Sequence, residues 1–258
     1  MSIPYSEYAR MDLLLLVIVQ FVFMIIDGII VLALTKKFRQ NHSEVVKSLL
    51  LSMLMLGLSA FFSWIPKFMN YFEFYQDFIY GIPVGNGLYL WWTNFSYIFN
   101  VVNTFYFTLF AQQLFKIDNQ KILIAEKIII SIFCVWTIYY GIFVYTPGSS
   151  SLTIYASVVL MLLTLFPSVY LFKYTRADVK RLSPSIYRAG YQLIYYATAL
   201  SLVAYFFWIL TIVLKVPKSF SAISQILNSI VMILLSLGII LPQWLREYLK
   251  KHYQLAEE

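Results

Sequence analysis

Charge is scarce in this chain: only 12% of its 258 residues are Asp, Glu, Lys or Arg, while 61% are hydrophobic. Soluble domains carry roughly a quarter charged residues, so an ordinary globular protein is excluded. Cysteine is almost absent as well. Cys134 stands alone in an apolar stretch, so no disulfide forms within the chain and no thiolate cluster holds a metal. Its expected role is that of a small buried hydrophobe. The two histidines, His42 and His252, fall in polar flanks, which excludes a histidine metal site inside the apolar segments. No metal and no cofactor is expected.

Enzyme signatures are also missing. There is no nucleophile elbow, no P-loop and no histidine pair at metal spacing, and no catalytic activity is expected. Residues 219–241 contain no lysine on which retinal could be held covalently. The third apolar segment ends Gln112-Gln113-Leu114-Phe115-Lys116, without the acid–arginine pair of the large eukaryotic G-protein-coupled receptor class. The last segment lacks that class's Asn-Pro and tyrosine pattern, so a shared topology is only an analogy of fold. The segment from Met1 to Arg10 has no basic n-region. The apolar run after Asp12 exceeds the ~7–15 residues of a signal h-region, so it is expected to be a retained first helix.

What the sequence does have is long apolar runs, near 13–35, 48–66, 87–115, 128–145, 152–172, 190–214 and 219–241. A hydrocarbon layer of about 30 Å takes ~20 apolar residues as a helix, and a membrane barrel would show short alternating segments instead. The expected fold is therefore all-α, a seven-transmembrane helix bundle over 1–246, with a short cytoplasmic tail at 247–258. Orientation follows from lysine and arginine. Alternate flanks hold fifteen of the nineteen, including Lys36, Lys37, Lys116, Lys173 and Arg181. The other set holds Arg10, Lys67, Lys215 and Lys218. The positive-inside rule places the rich side in the cytoplasm and the N-terminus outside. The net charge of +7 then reads as a topogenic signal with some attraction to anionic lipid, and no nucleic-acid partner is expected. The lipid bilayer itself is the first partner, in a multi-pass protein of the cell membrane. Between the second and third runs, the 67–86 segment with Tyr71, Phe72, Phe74, Tyr75 and Tyr80 is expected on the membrane surface or over the bundle mouth.

Polar side chains avoid lipid, so those inside the runs point to an interior. The third run carries Thr93, Ser96, Tyr97, Asn100, Asn103, Thr104, Thr108 and Gln112, mostly at steps of three and four that share one helical face. The sixth carries Gln192, Tyr195, Thr198, Ser201, Tyr205 and Trp208, and the seventh Ser221, Gln225, Asn228 and Ser236. One reading is interhelical hydrogen bonding, worth ~1 kcal/mol or less each. The other is a pocket in the outer half, with Asn100, Tyr205, Trp208, Gln225 and Asn228 as ligand-binding residues. Asp27 is the only acid deep in an apolar run, roughly 13 Å from the cytoplasmic edge at ~1.5 Å per residue. It is expected to be neutral or hydrogen-bonded to Asn103 or Thr198. These three form a candidate intramembrane switch, with a plain structural hydrogen bond as the alternative. Glu126, beside Lys127 at a helix entrance, is expected to be solvated or paired, and Pro167 to kink the fifth helix.

The last run closes with Leu237-Gly238-Ile239-Ile240-Leu241-Pro242-Gln243-Trp244-Leu245-Arg246. The Leu241-Pro242-Gln243-Trp244-Leu245-Arg246 portion resembles the junction that ends the N-terminal seven-helix sensory regions of some prokaryotic histidine kinases and nucleotide cyclases. The resemblance covers about ten residues. It implies a membrane receptor or sensor, and, with only a short tail after Arg246, one that signals to a separate cytoplasmic protein. Lys180, Arg181, Trp244 and Arg246 are the expected partner contacts, and an unknown small ligand the expected input. A small-solute transporter remains the alternative, since spans one to three and five to seven share orientation and Asp27 is available as a coupling acid. A noncatalytic subunit of a membrane complex is a third.

Overall fold

The computed structural model describes residues 5–71, 83–117, 120–143, 150–182, 185–213 and 219–253. Among them eight α-helices follow in order: α1 (Tyr5–Asn41), α2 (Glu44–Tyr71), α3 (Pro83–Leu114), α4 (Gln120–Phe143), α5 (Ser150–Arg181), α6 (Ile186–Val213), α7 (Ser219–Ile240) and α8 (Gln243–Tyr253). The aromatic-rich stretch 72–82 lies outside the described residues, and so does its expected place over the mouth. Of the described helices, α1, α2, α4, α5 and α7 are each long and apolar enough to cross a membrane. The protein is thus helical and has the makeup of a multi-pass membrane protein. Polar stripes run along the sequences of α3, α6 and α7.

Apolar side chains cover the outside. Leu32 is 72% exposed, Val135 68% and Ile132 64%, whereas Gln20, Asn103, Thr104 and Thr108 are buried. A water-soluble protein would not leave so continuous an apolar surface, but a lipid solvent reverses the preference and sends polar groups inward.

Six helices close a ring. α1 packs on α2 and α7, α2 on α3, α3 on α5, α5 on α6, and α6 on α7. α4 stands outside the ring in the groove between α3 and α5, where Phe133 joins Val101, Leu160 and Leu163 in a small apolar cluster. Helices consecutive in the chain alternate in direction. The Trp64 indole near the end of α2 donates to the Val17 carbonyl near the start of α1 (3.1 Å), while Ser48 at the start of α2 donates to Gln113 at the end of α3 (2.7 Å). This up-and-down order gathers the lysine- and arginine-rich flanks at one end, called here the basic end.

Toward the basic end the ring interior is solid. Phe23, Leu34, Leu49, Phe110, Leu171, Ile194 and Leu235 form one buried cluster. α6 and α7 come closest here, at Gly190 and Gly238. A Cβ on either glycine would lie 2.8 Å from the other's carbonyl oxygen, a separation real Cβ atoms do not tolerate. Three helices end at this level with a residue in the left-handed region: His42 (φ 48°), Lys116 (φ 53°) and Leu241 (φ 41°). Each makes a tight helix stop of the kind usually given to glycine, and each is followed within a few residues by the next helix. α5 runs through Pro167 without a break. Just past the missing N–H, the Ser168 hydroxyl donates to the Thr164 carbonyl (3.0 Å), so side-chain oxygens take part in pairing the backbone there, as in other proline-containing membrane helices.

Candidate functional site

Away from the basic end the ring is hollow. A central cavity of about 480 Å³ is lined by α1, α2, α3, α5, α6 and α7. That size falls in the ~300–1,000 Å³ range of small-molecule sites. Its floor is Phe23, Met53, Met232 and Leu235, which also belong to the apolar cluster. Many of its lining residues are polar, although more of its surface is apolar. α3 contributes Ser96, Tyr97, Asn100, Asn103 and Thr104; α7 contributes Ser224, Gln225 and Asn228; α6 adds Ser201 and Tyr205, and α5 Thr164 and Ser168.

Much of this polarity is already engaged. The Ser52 hydroxyl donates to Asn103 Oδ1 (2.6 Å), tying α2 to α3, and Ser59 donates to the Ser96 carbonyl (2.9 Å). Ser224 donates to the Ala204 carbonyl (3.0 Å), tying α7 to α6. The Tyr205 phenol lies within hydrogen-bonding reach of the Thr164 and Ser168 hydroxyls of α5. The carboxamides of Asn100 and Asn228 are not part of this network, and Gln225 Oε1 is a buried acceptor with no partner among the described residues. At the end away from the floor stands Lys67. Its ammonium donates to Gln20 Oε1 (2.7 Å) and Ser63 Oγ (2.8 Å), and Gln20 Nε2 in turn donates to the Ala60 carbonyl (2.9 Å).

Four of the five nominated ligand residues, Asn100, Tyr205, Gln225 and Asn228, line this one cavity. Trp208 belongs to α6, but its side chain lies outside the described residues. The nominated switch is not assembled. Asp27 packs against Gly57, where a Cβ would collide with Asp27 Oδ2. Its Oδ1 has no partner among the described residues. Asn103 is instead taken by Ser52, and the Thr198 hydroxyl donates to the Tyr195 carbonyl (2.9 Å). The reason lies in α2, which turns Ser52 and Ser59 toward the cavity and its glycine toward α1. Asp27 therefore sits in a shallow α1–α2 groove with Met24, Gly28, Leu54, Leu58 and Phe61, not on the cavity wall.

Glu126 also departs from expectation. It is buried, and the Thr108 hydroxyl donates to its Oε1 (2.7 Å). The stripe on α3 thus divides: Ser96 to Thr104 face the cavity, while Thr108 serves the contact with α4. Of the nominated partner contacts, Lys180 and Arg181 end α5 and Trp244 and Arg246 lie on α8, all exposed. Arg246 has a structural bond as well, from Nε to the Leu241 carbonyl (2.8 Å).

Sequence reasoning missed the contribution of α2. Ser48, Ser52, Ser59 and Ser63 recur at intervals of four and seven, a one-face helical pattern, and three of them line the cavity. Small hydroxyls among many leucines are a faint signal, which is why the amide-bearing stripes stood out instead. Lys67 was assigned to the flank because it is charged.

No known protein family matches the chain, and neither the curated proteins nor the solved structures include a match.

Proposed function

We propose that this protein is a seven-span membrane receptor, N-terminus outside and C-terminus in the cytoplasm, that binds a small ligand in the ring cavity and signals to a separate cytoplasmic protein. The observation that carries the reading is the division of the ring into a cavity with many polar lining residues away from the basic flanks and a packed interior next to them. With the basic end inside, the cavity falls in the outer half, where an extracellular or lipid-borne ligand arrives. The exposed ends of α5 and α8, with Lys180, Arg181, Trp244 and Arg246, then face the cytoplasm. A ligand biases such a bundle only by binding one packing of its helices better than another, and a cavity walled by six helices is placed to do that.

The test is co-purification from native membranes of wild type and of Asn228→Leu, with mass spectrometry of bound small molecules and proteins. The receptor reading expects a small molecule lost in the variant and a cytoplasmic signalling protein retained at stoichiometric level. A wild-type protein that carries neither would sink it. Transport is the second reading, favoured by the buried carboxyl of Asp27. Because Asp27 lies off the cavity wall, it is poorly placed to couple an ion to a solute. Asp27→Asn is expected to leave solute content of vesicles unchanged; abolished proton- or sodium-driven uptake would favour transport over reception.

A further inference from the structure

The bound molecule's chemistry can be read from where the cavity's protons go. A serine or threonine hydroxyl has one proton to donate and two lone pairs to accept with. Around the cavity that proton is repeatedly spent on the protein itself. Ser52 gives it to Asn103 Oδ1 (2.6 Å), Thr104 to the Asn100 carbonyl (3.0 Å), and Thr164 to the Leu160 carbonyl (2.7 Å). Ser168 gives it to the Thr164 carbonyl (3.0 Å), Ser201 to the Thr198 carbonyl (2.8 Å), and Ser224 to the Ala204 carbonyl (3.0 Å). What these side chains still offer is lone pairs, which at Thr164 and Ser168 are shared with the Tyr205 phenol. Gln225 also lines the cavity, with its Oε1 buried and without a partner among the described residues.

An occupant that only accepts, such as a carboxylate, phosphate or ester, would satisfy the N–H₂ groups of Asn100, Asn103 and Asn228 and leave the lone pairs of the hydroxyls unmet. An occupant that also donates satisfies both. The carboxamides of Asn100 and Asn228 each present an N–H₂ and a C=O, so they ask for groups that donate and accept from the same atom. Hydroxyl groups do this. Charge narrows the choice further. Among the described residues, those lining the cavity include one cation, Lys67, and no carboxylate, so they offer an ammonium ligand no counterion. Tyr97, Tyr205 and Phe107 are also in the lining, and their ring faces suit the C–H side of a compact ring.

We infer that the cavity binds a neutral, hydroxyl-rich small molecule of about sugar size, a polyol held by Asn100, Gln225 and Asn228 and by the accepting hydroxyls of α3, α5 and α6. This deepens the receptor reading and rests on its cavity. Buried polar groups left unpaired are costly, so each wall group that the polyol satisfies favours binding over an empty or apolar-filled site.

The experiment is thermal unfolding of the purified full-length protein in lipid nanodiscs with matched probes. Glucose, maltose and inositol represent neutral polyols, glucosamine the cationic analogue, glucuronate the anionic one, and permethylated glucose the acceptor-only one. At least one neutral polyol is expected to raise the Tm in a saturable way, since a ligand that binds only the folded state stabilises it by mass action. The three altered probes should shift it at least tenfold more weakly at equal concentration. Asn228→Leu and, separately, Gln225→Leu should keep the unliganded Tm and lose the shift. A larger shift from glucuronate, glucosamine or the permethylated sugar, lost in the same variants, overturns the polyol while the cavity reading stands. Shifts that survive both variants, or no shift with any neutral polyol, overturn the inference. If no probe binds and native membranes also yield no bound small molecule, the receptor reading falls with it.

Discussion

The two halves of the ring are built from the same helices, yet they use their interiors in opposite ways. Near the basic end Leu34, Leu49, Phe110 and Leu171 are fully buried against one another, and the α6 and α7 backbones meet at Gly190 and Gly238. A few turns further along the same helices, Asn100, Tyr205 and Asn228 surround a cavity of about 480 Å³. In lipid no water is released by bringing helices together, so dispersion contacts and interhelical hydrogen bonds hold the bundle. The packed half maximises such contacts. The hollow half gives many of them up and keeps shape through fixed bonds such as Ser52 to Asn103 and Ser224 to Ala204. Close packing and open space are thereby separated along the helix axis.

The strongest way to break this comparison is to delete equal volumes from both halves. Phe110→Ala empties a site with no exposure and is expected to cost about 3–5 kcal/mol, the usual penalty for a buried aromatic. Phe107 lies one turn away, on the boundary between the packed cluster and the cavity, so its loss enlarges an existing space. Phe107→Ala should cost roughly half as much or less, because fewer contacts are lost. Reversible unfolding in mixed micelles would measure both, and equal penalties would show that the two halves do not differ in packing. Next in size is Gly190→Val. Its side chain must push against the Gly238 carbonyl, an overpacking expected to cost about 1–3 kcal/mol. A neutral result would mean that α6 and α7 part there without penalty.

The helices were readable because their apolar runs are long and their flanks basic. Four of the cavity residues were readable because an amide or phenol inside such a run stands out. Other features were hidden for physical reasons. Where Asp27 would point depended on Gly57, a residue whose effect is the absence of a side chain, and no periodicity in α1 reports it. Glu126 looked solvated or paired because Lys127 follows it, yet successive helix residues face different ways, and Glu126 turns to Thr108 while Lys127 lies over the Phe105 ring at 5.6 Å. The serines of α2 were masked by the hydrophobicity of their neighbours. Lys67 was read as an end marker because it is charged, although its ammonium is bonded within the lining to Gln20 and Ser63.

The smallest expected effects sharpen the comparison most. Ser52→Ala removes an interhelical hydrogen bond from the cavity wall, and such bonds average about 0.6 kcal/mol in membrane proteins. Asn228→Leu removes an amide that lines the cavity outside the hydrogen-bond network of the walls. Leucine has nearly the same bulk and no polar atom to leave unpaired, so the unliganded protein should change by less than about 0.5 kcal/mol, in the range of substitutions away from packed features. Serine to alanine, the milder change in volume, would then be the more damaging of the two. That inversion is the mark of a wall in which some polar groups hold the helices and others wait for an occupant. If unfolding of the unliganded protein instead shows Asn228→Leu costing as much as Phe110→Ala, the amide is part of the packing. The hollow half would then be a core like the other, built from polar residues.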